Sequence, residues 1–83
     1  MATSTVSQMR IKLAQLEMDR TNLRVEAEGL CREITAILVP ELTEFEAMDV
    51  AAAATFMDAL VLKQSELLGL SRDIYKLEKA LGQ

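Results

Sequence analysis

The sequence predicts an all-α fold: an antiparallel two-helix hairpin, coiled-coil-like along its seam, that dimerises into a four-helix bundle. Three observations predict it. Apolar residues recur at alternating spacings of three and four along two long stretches. One proline, Pro40, separates those stretches, and with three Gly in 83 residues turn punctuation is otherwise scarce. Hydrophobic residues make up 51% of the chain, yet only Phe45, Phe56 and Tyr75 are aromatic. The core is therefore built from Leu, Ile, Val, Met and Ala, most of them good helix formers. An all-β chain needs far more Gly and Pro between its strands.

The first helix is predicted over residues 5–38. Its seam is Val6, Met9, Leu13, Leu16, Leu23, Ala27, Leu30, Ile34 and Ile37, with Arg20 in one polar slot. Gly29 lies off the seam and weakens the helix by about 1 kcal/mol. Pro40 stops it, because proline disfavours helical geometry at Val39 and has no N–H of its own. The turn is placed at residues 39–43. Thr43 and Glu46 have the capping-box spacing, and Asp49 is a second possible N-cap. The second helix is predicted over residues 44–81, with Ala53, Phe56, Leu60, Leu67, Leu70, Ile74, Leu77 and Leu81 on its seam. Lys63 takes the polar slot there, and Gly82 is the expected stop. The whole chain reads as a single domain.

Similar helix lengths and a short connection favour antiparallel packing. A register in which paired positions sum to 90 gives every seam residue a partner: Leu13 with Leu77, Leu16 with Ile74, Leu30 with Leu60, Ile34 with Phe56. Lys63 then faces Ala27, the smallest residue on its seam. One flank pairs Arg10 with Glu78, Cys31 with Met57 and Leu38 with Val50. The other brings Asp19 near Asp73 and Glu26 near Glu66. Arg20 and Lys63 are expected to leave the seam and neutralise that acidic ridge. A register one heptad shorter sets Arg20 against Lys63, a clash of like charge.

Closing the hairpin leaves apolar residues over. On the first helix Ile11, Met18 and Val25, with Ala14 and Thr21 between them, repeat nearly opposite the seam. On the second, Val50, Met57, Val61, Leu68 and Tyr75 form a flanking stripe together with Ala54, and Leu38 belongs to the same flank. Leu62 is an isolated extra. Ile11, Met18, Val25, Leu38, Val50, Met57, Val61, Leu68 and Tyr75 are thus the expected partner-binding residues. A band of this length is unusual on a soluble monomer. The expected partner is a second copy, another helical protein, or both.

Composition narrows the function classes. The net charge is −4 and the nine basic residues look scattered, which disfavours binding to nucleic-acid phosphates. No basic-then-apolar leader is visible in residues 1–8. The longest apolar run, residues 50–62, is interrupted by Asp58 and is shorter than the ~20 residues that span a bilayer. The polar face is too acidic for a membrane-surface helix. The expectation is a cytoplasmic protein that touches neither membrane nor nucleic acid.

Chemistry is not expected either. There is no histidine, and Cys31 is the only cysteine, so the chain offers neither an internal disulfide nor a zinc site. Cys31 reads as a packing residue in an apolar setting. Glu41, Glu44, Glu46 and Asp49 match no EF-hand spacing and read as a solvated capping run. Glu26, Glu28 and Glu33 lack the Glu-x-x-His partner of a di-iron bundle. No Gly-rich phosphate loop occurs. No catalytic residue, cofactor or metal is assigned. The expected role is a non-enzymatic adaptor or structural element, with a small chaperone for a client's amphipathic helix as the alternative.

Overall fold

A computed structural model describes residues 2–83, with side chains from Thr5 onward. Helix α1 runs Ala2–Ile37 and helix α2 runs Val50–Ala80, with a short 3-10 turn at Phe45–Ala47 between them. The two helices pack against each other as a hairpin. The particle is a rod of 65 × 16 × 15 Å. Its length is set by α1, whose 36 residues rise about 54 Å at ~1.5 Å each.

The connection departs from expectation. The second helix begins at Val50, six positions later than the predicted start. Asp49 is its N-cap, its carboxylate accepting from the Ala52 N–H at 3.0 Å. The Thr43–Glu46 capping box does not form; Glu44 precedes the 3-10 turn and its side chain caps nothing. The physical reason is the sequence after each candidate. Asp49 is followed by Val50 and four alanines, which propagate a helix readily. Residues 45–47 instead close tightly, the Ala47 N–H donating to the Glu44 carbonyl at 2.9 Å. Upstream, Pro40 and Glu41 form the corner of a turn closed by the Leu42 N–H on the Val39 carbonyl.

The far end of α2 stops as predicted. Gly82 has φ 78, a left-handed geometry that a Cβ would strain. Its N–H donates to Lys79, and the Gln83 N–H reaches back to Glu78 at 2.8 Å. That pair of bonds is the Schellman arrangement, which satisfies carbonyls the helix leaves open.

The seam is where the periodicity places it. Every described seam residue of both helices is buried or half-buried. The core lies towards the open end, where Leu13, Leu16 and Ile74 are buried and Leu70, Leu77 and Leu81 pack against them. Ile74 is only 2% exposed. These neighbours fit the register in which positions sum to 90. Ala53 is the other buried hydrophobic residue, and it lies near the connection.

Of the two seam cations, one behaves as expected. Lys63 leaves the seam and its Nζ bridges the Glu26 carboxylate at 2.7 Å. Arg20 is half-buried, and Lys63–Glu26 is the one ion pair within 4.0 Å among the described residues. The acidic ridge is therefore bridged at Glu26, with Glu66 acting on Lys63 at longer range, while Asp19 and Asp73 have no ion pair within 4.0 Å.

Candidate functional site

The residues outside the seam can now be placed. Ile11, Met18, Val25, Leu38, Val50, Met57, Val61, Leu68 and Tyr75 are all exposed, as is Leu62. The stripe on α1 is apolar even at its one hydroxyl. Thr21 donates to the Glu17 carbonyl at 3.1 Å, so its polar group is turned onto the backbone. At the end of the α2 stripe the Lys79 ammonium sits 5.5 Å from the centre of the Tyr75 ring, a cation–π contact.

Two residues escape a reading based on helical period. Leu42 is 84% exposed and Phe45 is 71% exposed, both in the connection between the helices. Loop residues follow no such period, so the stripe argument passes over them. The signal in the sequence is two large apolar side chains within four positions of an otherwise acidic loop.

The two flanks of the hairpin differ in character. On one, two shallow grooves meet over Ala27 and Leu67. Met57, Leu60, Val61 and Gln64 border the first, and Arg24, Glu28, Cys31 and Arg32 border the second. The cause lies in the seam. Ala27 offers one methyl group, and Lys63, its partner in register, turns towards Glu26 on the opposite flank. Nothing large fills that layer, so a furrow is left. The other flank holds a groove lined by Asp19, Asn22, Glu26, Glu66 and Asp73 around Leu23, Gly69 and Leu70.

Cys31 is not packed into the interior as expected. It is exposed and borders the groove beside Arg24 and Arg32. The Lys63 amine is shifted upward. Its hydrogen bond to Glu26 holds the amine above its ordinary value of 10.5, against partial loss of water. Among the described residues, no three Asp, Glu or Cys side chains gather as a metal-binding group, and no helix is long and apolar enough to cross a membrane.

Charge is partitioned along the chain. All nine Lys and Arg lie outside residues 33–62, together with seven of the thirteen carboxylates, giving that part a net +2. Residues 33–62 hold the other six carboxylates and no cation, a net −6. In the hairpin these residues form the end around the connection, with five residues of α1 and thirteen of α2. Its exposed surface is thus apolar and acidic at once. The chain matches no protein-family model, no curated protein sequence and no solved structure.

Proposed function

We propose that this chain acts without covalent chemistry, as a self-associating helical bundle that serves as an adaptor or structural element. One observation carries the reading. Among the described residues, twelve large hydrophobic side chains are exposed while four hydrophobic residues are buried. That inverts the usual balance of a folded monomer. Covering six to eight of the exposed side chains is worth ~1.5 kcal/mol each at the low end, since all are partly covered already. The resulting gain of ~9–12 kcal/mol is comparable with the ~4–15 kcal/mol that association costs. A second hairpin covers that many side chains at once; a small ligand does not.

Solution mass tests it. Light scattering is expected to give a multiple of the 9.2 kDa chain mass. Val61→Glu places a charge on the α2 stripe and is expected to reduce the assembly to single chains while circular dichroism keeps its helical signal. An unchanged mass for that variant rejects this surface as the interface.

The furrow over Ala27 and Leu67 favours a second reading, a chaperone-like cradle for an amphipathic helix of a client protein. Met57 on its border is an adaptable side chain of the kind such grooves use. A purified protein that is a sticky monomer, and whose soluble yield rises when it is co-expressed with one partner, selects this reading over self-association.

A further inference from the structure

We propose that two copies pair with their loops at opposite ends, so that the acidic half of each hairpin lies over the terminal half of the other. This orientation rests on the self-association proposed above and adds a direction to it.

Charge decides the direction. Residues 33–62 carry −6 without a single cation, and the remainder carries +2. The rod is 65 Å long, many times the ~8 Å over which charges act at physiological ionic strength. Each end therefore responds to whatever lies directly against it, not to its own far end. With loops together, two −6 halves face each other and two positive halves face each other. With loops opposed, both contacts join opposite signs.

The apolar surface allows the same arrangement. Leu38, Val50 and Met57 are exposed at the acidic end, and Leu68 and Tyr75 are exposed on the same flank in the terminal half. Opposed hairpins can bring the first set towards the second at both ends of the pair. Lys79 sits over the Tyr75 ring, and Arg72, Lys76 and Lys79 outnumber Asp73 and Glu78 around it, so the charge there is positive. A two-fold axis across the rod relates the copies and closes the assembly at two, leaving no unpaired half to recruit a third.

Two measurements test this. In the first, Cys31→Ala removes the only thiol and Thr43→Cys places a spin label at the loop. Circular dichroism confirms that the doubly substituted chain remains helical. Opposed loops are expected to hold the two labels apart by a distance approaching the 65 Å rod length. A dimer whose labels lie within half that distance overturns the orientation and leaves self-association standing. A chain that is monomeric at every concentration overturns both. A monomer that binds a Lys- and Arg-rich amphipathic peptide also overturns both, and gives the acidic half to a foreign helix. The second measurement uses the unmodified protein. Raising salt from physiological strength screens attraction between opposed halves, so dimer dissociation is expected to become several-fold more favourable. Tightening with salt instead signifies like charges in contact, and rejects the opposed arrangement.

Discussion

The open end of the hairpin and its loop end carry seams of the same period, yet they close differently. At the open end Leu13, Leu16 and Ile74 are buried, with Leu70, Leu77 and Leu81 around them. Towards the loop Ala53 alone is buried, while Ile34, Ile37, Phe56 and Leu60 are half-buried. Spacing does not explain the difference, since both ends keep the alternation of three and four. Residue size does. The open end stacks Leu and Ile against Leu and Ile. The middle and loop layers include Ala27, Ala53 and a lysine that turns out of the seam. Period thus determines which side chains face inward, and volume determines how completely they shut water out. One half thus closes its seam, and the other leaves its seam partly open to solvent.

Core truncation gives the largest expected effect and tests the contrast directly. Ile74→Ala leaves a cavity at the most buried position and is expected to cost ~2–5 kcal/mol in urea denaturation. That is a large share of the stability of a domain this small. Leu60→Ala, half-buried in the other half, is expected to cost less than about 2 kcal/mol. Equal losses at the two sites remove the distinction between a closed half and an open half.

The next effect concerns the polar slots. Arg20→Leu with Lys63→Leu returns both slots to the apolar seam and fills the thin layer over Ala27. The melting temperature is expected to rise by several degrees, because exposed ion pairs contribute little and buried Leu contributes more. Because Arg20 has no ion pair to lose, most of the gain is expected from Arg20→Leu alone. A fall in melting temperature places the two cations outside the seam.

How much of this is legible in the sequence depends on whether a feature repeats. The seam repeats, and its residues face inward from Val6 through Leu81. The register is legible because the lone Pro40 fixes the turn and the slots of Arg20 and Lys63 fix the offset. The start of α2 is not, because Thr43 and Asp49 both offer a capping oxygen. Only the stronger helix formers after Asp49 separate the two candidates. The exposure of Leu42 and Phe45 is not legible, because a loop has no period to violate. The exposure of Cys31 is hidden because facing positions suggest contact, whereas the thin Ala27 layer leaves that flank open. Partition of charge along the rod is written plainly in the residue order. It becomes meaningful once the hairpin folds residues 33–62 into one end.

A smaller effect comes from the helix interior. Gly69 sits in α2, and a Cβ added there meets nothing within 4 Å. Gly69→Ala therefore removes backbone freedom from the unfolded chain without a clash, for a gain of about 1 kcal/mol. Gly82→Ala is expected to act in the opposite sense, because its φ of 78 does not suit an L side chain. Thermal melts of the two variants separate these cases. Stabilisation by both substitutions indicates that the C-terminal cap contributes nothing.

The smallest effect is the pH dependence of the Lys63–Glu26 bridge. The Glu26 hydrogen bond raises the Lys63 amine above 10.5, its ordinary value in an unfolded chain. A group held above its unfolded value favours the folded state while protonated in both states. That contribution is complete below 10.5 and disappears as the pH climbs through the elevated folded value. Glu26→Gln removes the carboxylate and with it the largest cause of the raised value. The stability difference between the parent chain and Glu26→Gln is therefore expected to be constant from neutral pH to just below 10.5, and to shrink above it. Measuring that difference, not the parent alone, cancels what the rest of the chain contributes. A difference that persists unchanged at strongly alkaline pH assigns the effect of Glu26 to helix packing, and the salt bridge then has no part in holding Lys63 out of the seam.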